Sequence, residues 1–375
     1  MKITNAKYFS RLDADDFLHK DAYNVILKEF KKDQNLALVY TDYFYVDESS
    51  NVIEMNSNIN KIKKDNPAHG ACSVVLREKF LSLGGYNERF NAQDGYDLWI
   101  NFLINKLKIK YLKKHLFYYR QHSQSLSKNT MRILAERKKI NDFYSSKLKK
   151  KYRVVLIIGG YDRSNFLLKK INNKVLLKYA FEACKKISKK NVFLSTNDKK
   201  IIAFAKRSNI KIIRRPKKLD NDFTTISDIL VSAKRVLNNS YDIFVFVNAF
   251  NPFVKDDLIN QGINNLKLFN CDSVISVYED LDLHYKEDVK GLKKLMKRNH
   301  SQLRIDRETL YVDARMFRVT WSSKIFLKNS YLKNKLISGK IIIPKSISLN
   351  IRSEYDFWLA EKILKSIQYK QGAIQ

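Results

Sequence analysis

The residues Asp13-Ala14-Asp15-Asp16 place three carboxylates directly behind the extended apolar stretch Tyr8-Phe9-Ser10-Arg11-Leu12. If that stretch runs on as a strand, its two-residue period turns Asp13 and Asp15 to the same side. Two hard oxygen donors at that spacing suit Mg2+ or Mn2+ bridging a diphosphate. The same residues also read as a solvated acidic turn or a helix cap, and the motif by itself does not choose.

The elements that would position these groups fall into two runs. Residues 8–130 mix short strands, at 36–40, 52–54 and 109–111, with helical stretches. Residues 131–150 carry apolar positions at helical spacing and end in a basic run, which predicts a closing helix and a basic junction over 131–152. A second domain then opens with the apolar strand 153–158, followed at once by Gly159-Gly160. Helices at 175–188, 199–208 and 227–237 alternate with apolar strands at 191–195, 210–213 and 242–247, the pattern of βαβ units in a parallel sheet covered on both faces. The chain of 375 residues thus reads as two α/β domains, 1–130 and 153–370.

Composition narrows the function classes. The formal charge of +33 invites a nucleic-acid reading, but the lysines are spread in pairs such as Lys63-Lys64, Lys113-Lys114 and Lys293-Lys294, with no long basic block. A solvated basic surface is the first expectation and attraction to an anionic membrane or a phosphate-rich substrate the second; a specific nucleic-acid partner is not expected. No apolar run approaches the ~20 residues that span a bilayer, and the first residues show no apolar signal segment. Cys72, Cys184 and Cys271 lie far apart without metal or disulfide spacing, as buried thiols in a reducing compartment would. The expectation is a soluble cytoplasmic protein, with peripheral association at the inner face of the membrane left open by its basic surface.

Several further blocks follow the aspartates in order: Tyr40-Thr41-Asp42, Asp47-Glu48-Ser49-Ser50-Asn51, His69-Gly70-Ala71-Cys72, Gly84-Gly85-Tyr86-Asn87, Ala92-Gln93-Asp94-Gly95-Tyr96-Asp97, and Tyr119-Arg120-Gln121-His122. This ordered set resembles the family-2 glycosyltransferases of the GT-A fold. The resemblance implies that Asp13 and Asp15 hold the metal and the donor diphosphate, with Asp16 completing the turn and His122 near the metal. It assigns Arg11 and Arg120 to the donor phosphates. Asp94 matches the carboxylate that deprotonates the acceptor hydroxyl, although its place before 96–103 also fits a helix N-cap. Trp99 is expected in the core. Members of that family open with a strand, a Pro-Thr-Tyr-Asn-like turn and two β-α units before the aspartates. Here the aspartates begin at residue 13, so the expectation is an incomplete donor pocket, from an upstream start, a divided gene or a remnant domain.

From Arg153 onward the order resembles the acylneuraminate cytidylyltransferases, which join CTP to a nonulosonic acid. The matching blocks are Asn172-Asn173-Lys174, Ser195-Thr196-Asn197-Asp198, Arg215-Pro216 with Asp220-Asn221-Asp222, Asp272-Ser273-Val274-Ile275-Ser276-Val277, and Ser353-Glu354-Tyr355-Asp356-Phe357-Trp358. The resemblance implies nucleotide contacts from Gly159, Gly160, Arg163, Lys174, Asp222 and Asn248. The residues that depart are those that should do chemistry. The family's Arg-Gly-Gly-Ser-Lys-Arg loop reads Ile158-Gly159-Gly160-Tyr161-Asp162-Arg163, which puts an acid where a cation should grip phosphate. Its base- and sugar-contacting loop reads Asn248-Ala249-Phe250-Asn251-Pro252-Phe253-Val254, and its metal-binding Asp-Ile-Asp reads Asn350-Ile351-Arg352. Arg352 is either a stand-in for the metal's charge or a mark of lost catalysis. Arg304, Arg307, Arg315 and Arg318 are either a carboxylate-binding cluster or a solvated edge.

The reading is therefore two Rossmann-like nucleotide-diphospho-sugar transferase domains in one chain, serving surface-glycan synthesis. The implied partners are a nucleotide-sugar donor, a glycan acceptor and CTP or a CMP-sugar, with Mg2+ or Mn2+ as cofactor and the second domain degenerate. The competing class is a non-catalytic sugar-nucleotide-binding or scaffold protein.

Overall fold

The structure is a computed structural model that describes residues 5–56, 73–121, 130–160, 165–221, 223–238, 240–269, 271–280, 282–289, 291–295, 310–325 and 336–372. Its contacts divide the chain into two compact units, Met1–Lys150 with Lys267–Asn270, and Lys151–Leu266 with Cys271–Gln375.

The first unit holds strands β1 (Tyr8–Ser10), β2 (Phe17–Leu18), β3 (Leu36–Val46), β4 (Val52–Asn56), β5 (Ser73–Leu76) and β6 (Lys108–Arg120). Its helices are α1 (Ala22–Lys32), α2 (Arg77–Ser82), α3 (Asp94–Ile104) and α4 (Thr130–Lys147). The strands form one mixed sheet in the order β1-β5-β3-β6-β2, with β4 beside β3. Strand β3 reads Leu-Ala-Leu-Val-Tyr at its start and is buried throughout that run, because both faces are covered. One face packs Leu36 and Val39 against Ala22, Ile26 and Phe30 of α1. The other packs Ala37, Leu38 and Tyr40 against Phe80, Leu98 and Phe102 of α2 and α3. Trp99 is buried as expected.

The stretch 131–152, expected as a linker, is helical through most of its length and belongs to the first unit up to Lys150. Helix α4 is tied to α3 by buried bonds: Tyr96 Oη donates to Asn141 Oδ1 at 2.9 Å, and Tyr144 Oη to Asp97 Oδ1 at 2.7 Å.

The second unit holds β7 (Val154–Gly159), β8 (Lys170–Ile171), β9 (Lys174–Val175), α5 (Leu176–Ile187), β10 (Val192–Ser195), α6 (Lys199–Arg207), β11 (Lys211–Ile213), α7 (Ile226–Val236) and β12 (Ile243–Asn248). These are followed by α8 (Asp256–Leu268), β13 (Ser273–Asp280), β14 (Tyr285–Asp288), β15 (Gly291–Lys294), β16 (Leu310–Trp321), β17 (Ser338–Ile342) and α9 (Glu354–Gly372). Seven strands form one sheet in the order β11-β10-β7-β12-β16-β13-β17. β11, β10, β7 and β12 run parallel, as their unbroken apolar runs predict. Beyond the strands read from the sequence, the sheet is mixed: β16 enters antiparallel to both β12 and β13. Asp313, Arg315 and Arg318 interrupt its apolar pattern, which hid the strand in the sequence. Capping fixes the helix starts, with Asp198 Oδ1 accepting from Ile201 N at 2.8 Å and a reciprocal Thr225–Asp228 box opening α7.

The sheet order reverses at β7, with β10 on one side and β12 on the other. In open α/β sheets a crevice for ligands lies outside the carboxyl ends of the strands at such a point. Here those ends are Gly159-Gly160 and Asn248.

Candidate functional site

In the first unit, β1 stops at Ser10 and the aspartates lie in a turn closed by Asp16 N–H donating to Asp13 O at 3.2 Å. The strand alternation expected to align Asp13 with Asp15 therefore does not apply, because the pleat ends before them. Arg11 gathers the cluster instead. Its Nε donates to Asp13 Oδ1 at 2.9 Å, and its Nη1 makes an ion pair with Asp94 Oδ2. Arg11, expected on phosphate, bridges the two carboxylates to which metal and base roles were assigned. Asp94 is the first residue of α3, after Gln93 at the cap position, and its Oδ1 accepts only from the adjacent Gly95 N–H at 3.0 Å, so it belongs to the cluster and is not the helix N-cap. Gln93 precedes it at φ 64°, a left-handed turn that aims the helix start.

Asp16 is buried, and its Oδ1 accepts from Arg120 N–H at 2.9 Å. Its Oδ2 is buried with no hydrogen-bond partner among the described residues. Burial is the main cause that pushes its carboxyl up to about 6; the Arg120 N–H opposes this, and Asp15 and Asp13 add to it. Arg120, also expected on phosphate, uses its guanidinium as a clamp. It donates to Asp15 O (2.8 Å), Asp47 O (2.9 Å), Glu48 O (2.7 Å) and Ser50 Oγ (2.9 Å), fixing the aspartate turn to the β3–β4 turn.

Sequence reasoning missed Tyr86. It follows Gly84 and Gly85, both at positive φ, and lies within electrostatic reach of Asp94, Arg11 and Asp13. The signal was present in the Gly-Gly pair, which turns the chain sharply back toward the cluster. Oxygen donors at Asp13 and Asp15 fit a hard cation by chemistry, and Asp13 Oδ2 has no partner among the described residues. No group of three or more His, Cys, Asp or Glu converges among those residues. His122, the third expected donor, lies outside them.

In the second unit, the strand ends at the crevice are laced together by amides and one buried arginine. Asn248 Nδ2 donates to Asn350 Oδ1 at 3.1 Å and to Arg315 O at 3.0 Å, so two residues singled out by the sequence do meet. Asn350 is a hub. Its Oδ1 also accepts from Asn251 Nδ2 at 3.5 Å, and its Nδ2 donates to Ala314 O at 2.8 Å and Ser348 O at 3.3 Å. Arg352 is exposed, and its backbone N–H caps onto Asp356 Oδ2 at 3.0 Å. Arg315 sits at φ 51°, an uncommon conformation for a side chain of its size, and its N–H is held by Asp313 Oδ1 at 2.8 Å.

Gly160 is covered by the ring of Phe250, whose carbons would lie 2.5 and 2.8 Å from a Cβ placed there. Only glycine fits beneath that ring. Arg215, which the sequence reading quoted without a role, is buried and donates from Nη2 to Gly160 O (2.6 Å) and Ser195 O (2.7 Å), tying the ends of β7 and β10. Lys174, expected on nucleotide, is paired with Glu182 and lies 4.1 Å from the Tyr179 ring centroid. It stabilises the β8–β9 hairpin and α5. Asn172 and Asn173, at φ 49° and 61°, supply the left-handed turn that the resembling family builds with Asn-Gly. Arg163 and Asp222 lie outside the described residues, as do Arg304 and Arg307. Cys184 and Cys271 are buried free thiols, and burial raises the Cys184 pKa.

Strand order defines the second unit as an open α/β sheet of Rossmann-like topology. A sequence model of the Cytidylyltransferase family matches residues 167–340. The N-terminal part is similar to polysaccharide synthases. The chain is 27% identical over 180 residues to a chondroitin synthase of Escherichia coli, covering 46% of this chain and 26% of that protein. It is 32% identical over 112 residues to a hyaluronan synthase of Pasteurella multocida, covering 28% of this chain and 11% of that one. The chain thus spans about a quarter or less of the length of these relatives. Among solved structures it is similar to a 4-diphosphocytidyl-2C-methyl-D-erythritol synthase from Anaerococcus prevotii, with TM-score 0.45 and 12% identity over 57% of this chain and 96% of that one. It is also similar to a CMP:2-keto-3-deoxy-manno-octonic acid synthetase complexed with CTP, with TM-score 0.42 and 11% identity over 57% and 99%. The chain joins a glycosyltransferase-like part to a cytidylyltransferase-like part.

Proposed function

We propose that the first unit transfers a sugar from a nucleotide-sugar donor to a glycan acceptor, and that the second unit binds a cytidine nucleotide or CMP-sugar with little or no cytidylyl transfer. The observation that carries the first part is the cluster in which Arg11 joins Asp13 of the aspartate turn to Asp94 at the start of α3. It sets a carboxylate able to take a proton beside carboxylates able to hold a cation. Asp13 and Asp15 would hold Mg2+ or Mn2+, whose charge would offset that building on a departing diphosphate. Asp94 accepts the proton of the acceptor hydroxyl through the carboxylate that Arg11 orients. Asp16 and Arg120 position the turn rather than touching substrate. The test is transfer of labelled sugar from a panel of nucleotide sugars to oligosaccharide acceptors. Asp94→Asn is expected to lower turnover at least about 100-fold with donor binding nearly intact, the usual size of a general-base contribution. A variant keeping more than about a tenth of the rate removes Asp94 from that role.

A binding role for the second unit is favoured by the Asn350 amide, which stands where the resembling family has a metal-binding carboxylate and has both its polar atoms engaged in protein bonds. Its association with sialic-type sugars rests on the resemblance of its sequence blocks.

A further inference from the structure

The Asp94 carboxylate leaves α3 in a direction set by the residue before it. Gln93 stands at the cap position with φ 64°, a left-handed backbone that a side chain of its size keeps only where its surroundings hold it. Its side chain makes no capping bond to the helix. Its Oε1 instead accepts from Arg137 Nε of α4 at 2.9 Å, while its carbonyl closes the first turn of α3 by accepting from Asp97 N–H at 2.9 Å. Gln93 is thus gripped through both side chain and backbone, one residue ahead of Asp94.

Arg137 is itself fixed. Its guanidinium lies 4.9 Å from the Tyr96 ring centroid, and Tyr96 Oη donates to Asn141 Oδ1 at 2.9 Å. Further along α4, Tyr144 Oη donates to Asp97 Oδ1 at 2.7 Å. Arg137, Asn141 and Tyr144 are spaced four and three residues apart, so they share one face of α4. That face meets the start of α3 at Gln93, Tyr96 and Asp97, which holds it against rotation as well as tilt.

We propose that Arg137 is a positioning residue: through Gln93 it sets where the Asp94 carboxylate stands beside Asp13. Its consequence for turnover rests on the base role proposed above for Asp94; its consequence for structure is measured without any turnover.

The structural test uses the whole chain, labelled at the backbone nitrogen of glycine alone, and nuclear magnetic resonance of the glycine amides. Gly95 N–H donates to Asp94 Oδ1, so its signal reports where that carboxylate lies. The chain has 10 glycines, and the Gly95 signal is the one lost in Gly95→Ala. Arg137→Met is expected to move that signal more than any other glycine's, and Arg137→Lys, which keeps a donor, to move it less. Gln93→Asn tolerates the left-handed backbone but is one methylene shorter; it should move the signal likewise, and it decides the matter if Arg137→Met does not fold. Lys138→Met removes the same charge from the next position of α4, with its pair to Asp142, and should leave the signal in place. A Gly95 signal unmoved in Arg137→Met and Gln93→Asn, or moved equally by Lys138→Met, overturns the proposal. In the labelled-sugar assay Arg137→Met should lower kcat at least about tenfold, with donor KM and Tm near those of wild type, because misplacing a reacting group by about 1 Å is that costly. Arg137→Lys should recover most of the rate. Unchanged kcat, or a raised KM alone, in an assay where Asp94→Asn does lose its rate also overturns the proposal. If wild type transfers no sugar, the transferase reading fails, and the Gly95 signal alone decides whether Arg137 positions Asp94.

Discussion

At the scale of single residues, the aspartate turn separates carboxylates open to solvent from a buried one that holds the turn. Asp15 is exposed and Asp13 partly so, whereas Asp16 is buried under Arg120. Asp13→Ala/Asp15→Ala is therefore expected to remove the heat of Mn2+ binding in the presence of a nucleoside diphosphate while leaving the melting temperature little changed; equal heats from variant and wild type would sink the metal assignment. Asp16 makes a different prediction. Its folded pKa of about 6 lies above the ordinary value of 3.8, so its ionised form is the one the fold disfavours. The stability it contributes is fully present when it is protonated in both states, below about pH 4, and is lost as pH rises through 6. Asp16→Asn, neutral throughout, should gain about 1–2 kcal/mol on wild type between pH 4 and pH 7, a discounted figure from the free energy of one pKa unit. Urea midpoints of the two proteins at both pH values check it, and a constant difference would remove Asp16 as the titrating group. Carboxylate type and spacing singled out Asp13, Asp15 and Asp94 in the sequence, and the structure brings Asp13 and Asp94 together on Arg11. The sequence did not show the protein bonds of Arg11 and Arg120, since a guanidinium near phosphate-binding residues reads the same whether it faces ligand, carboxylates or backbone carbonyls.

At the scale of elements, apolar periodicity located the parallel strands β7, β10, β11 and β12 and helices α5, α6 and α7 to within a residue or two. Those strands are buried on both faces, so hydrophobic runs define them fully. β16 escaped because Asp313, Arg315 and Arg318 break its apolar run, and they bond to one another: Arg318 Nη2 lies 3.5 Å from Asp313 Oδ2, and Asp313 Oδ1 accepts from the Arg315 N–H at 2.8 Å. The β3–β6 pair is much longer than its apolar centre suggested, since its outer halves carry the aromatic ladder of Tyr43, Phe44 and Tyr45 against Phe117, Tyr118 and Tyr119. The amide lacing of the second unit yields a prediction at this scale. Asn350 donates to two carbonyls and accepts from two amides, which a carboxylate cannot do. Asn350→Asp, although it restores the carboxylate of the resembling family, should destabilise the second unit by about 1–3 kcal/mol through unpaired carbonyls and lone-pair repulsion. Thermal melting checks this; an unchanged or raised midpoint would show that the site accepts a carboxylate, as a metal ligand requires.

At the scale of the whole molecule, two units with their own sheets and cores place a glycosyltransferase-like part and a cytidylyltransferase-like part in one chain. The spread of basic charge gave no direction, because charge pattern reports on surface and solvent rather than on fold. What located the two parts was the order of short motifs, and what distinguished their expected activities was the chemistry at the motif positions. No described helix is long and apolar enough to cross a membrane. The prediction that belongs to this scale concerns diphosphate release from CTP by the intact chain with Mg2+ and common nonulosonic acids. Cytidylyl transfer builds negative charge on phosphate, and losing a single stabilising contact of that kind commonly costs ~3–4 kcal/mol. The sequence has Ile158 and Asp162 where the resembling family has cations and Val254 where it has arginine. In the structure Asn350 is committed to protein carbonyls and Lys174 to Glu182. Several such contacts missing together leave little rate, so the intact chain should release no diphosphate above background while CMP still binds weakly at the crevice. Asn248→Ala should weaken that binding, by freeing the ends of β12 and β16, and leave sugar transfer by the first unit unchanged. Asp94→Asn should do the reverse. Diphosphate release at an ordinary enzymatic rate, on the order of 1 s⁻¹ or faster, would overturn the expectation and make Arg352 the source of the missing positive charge.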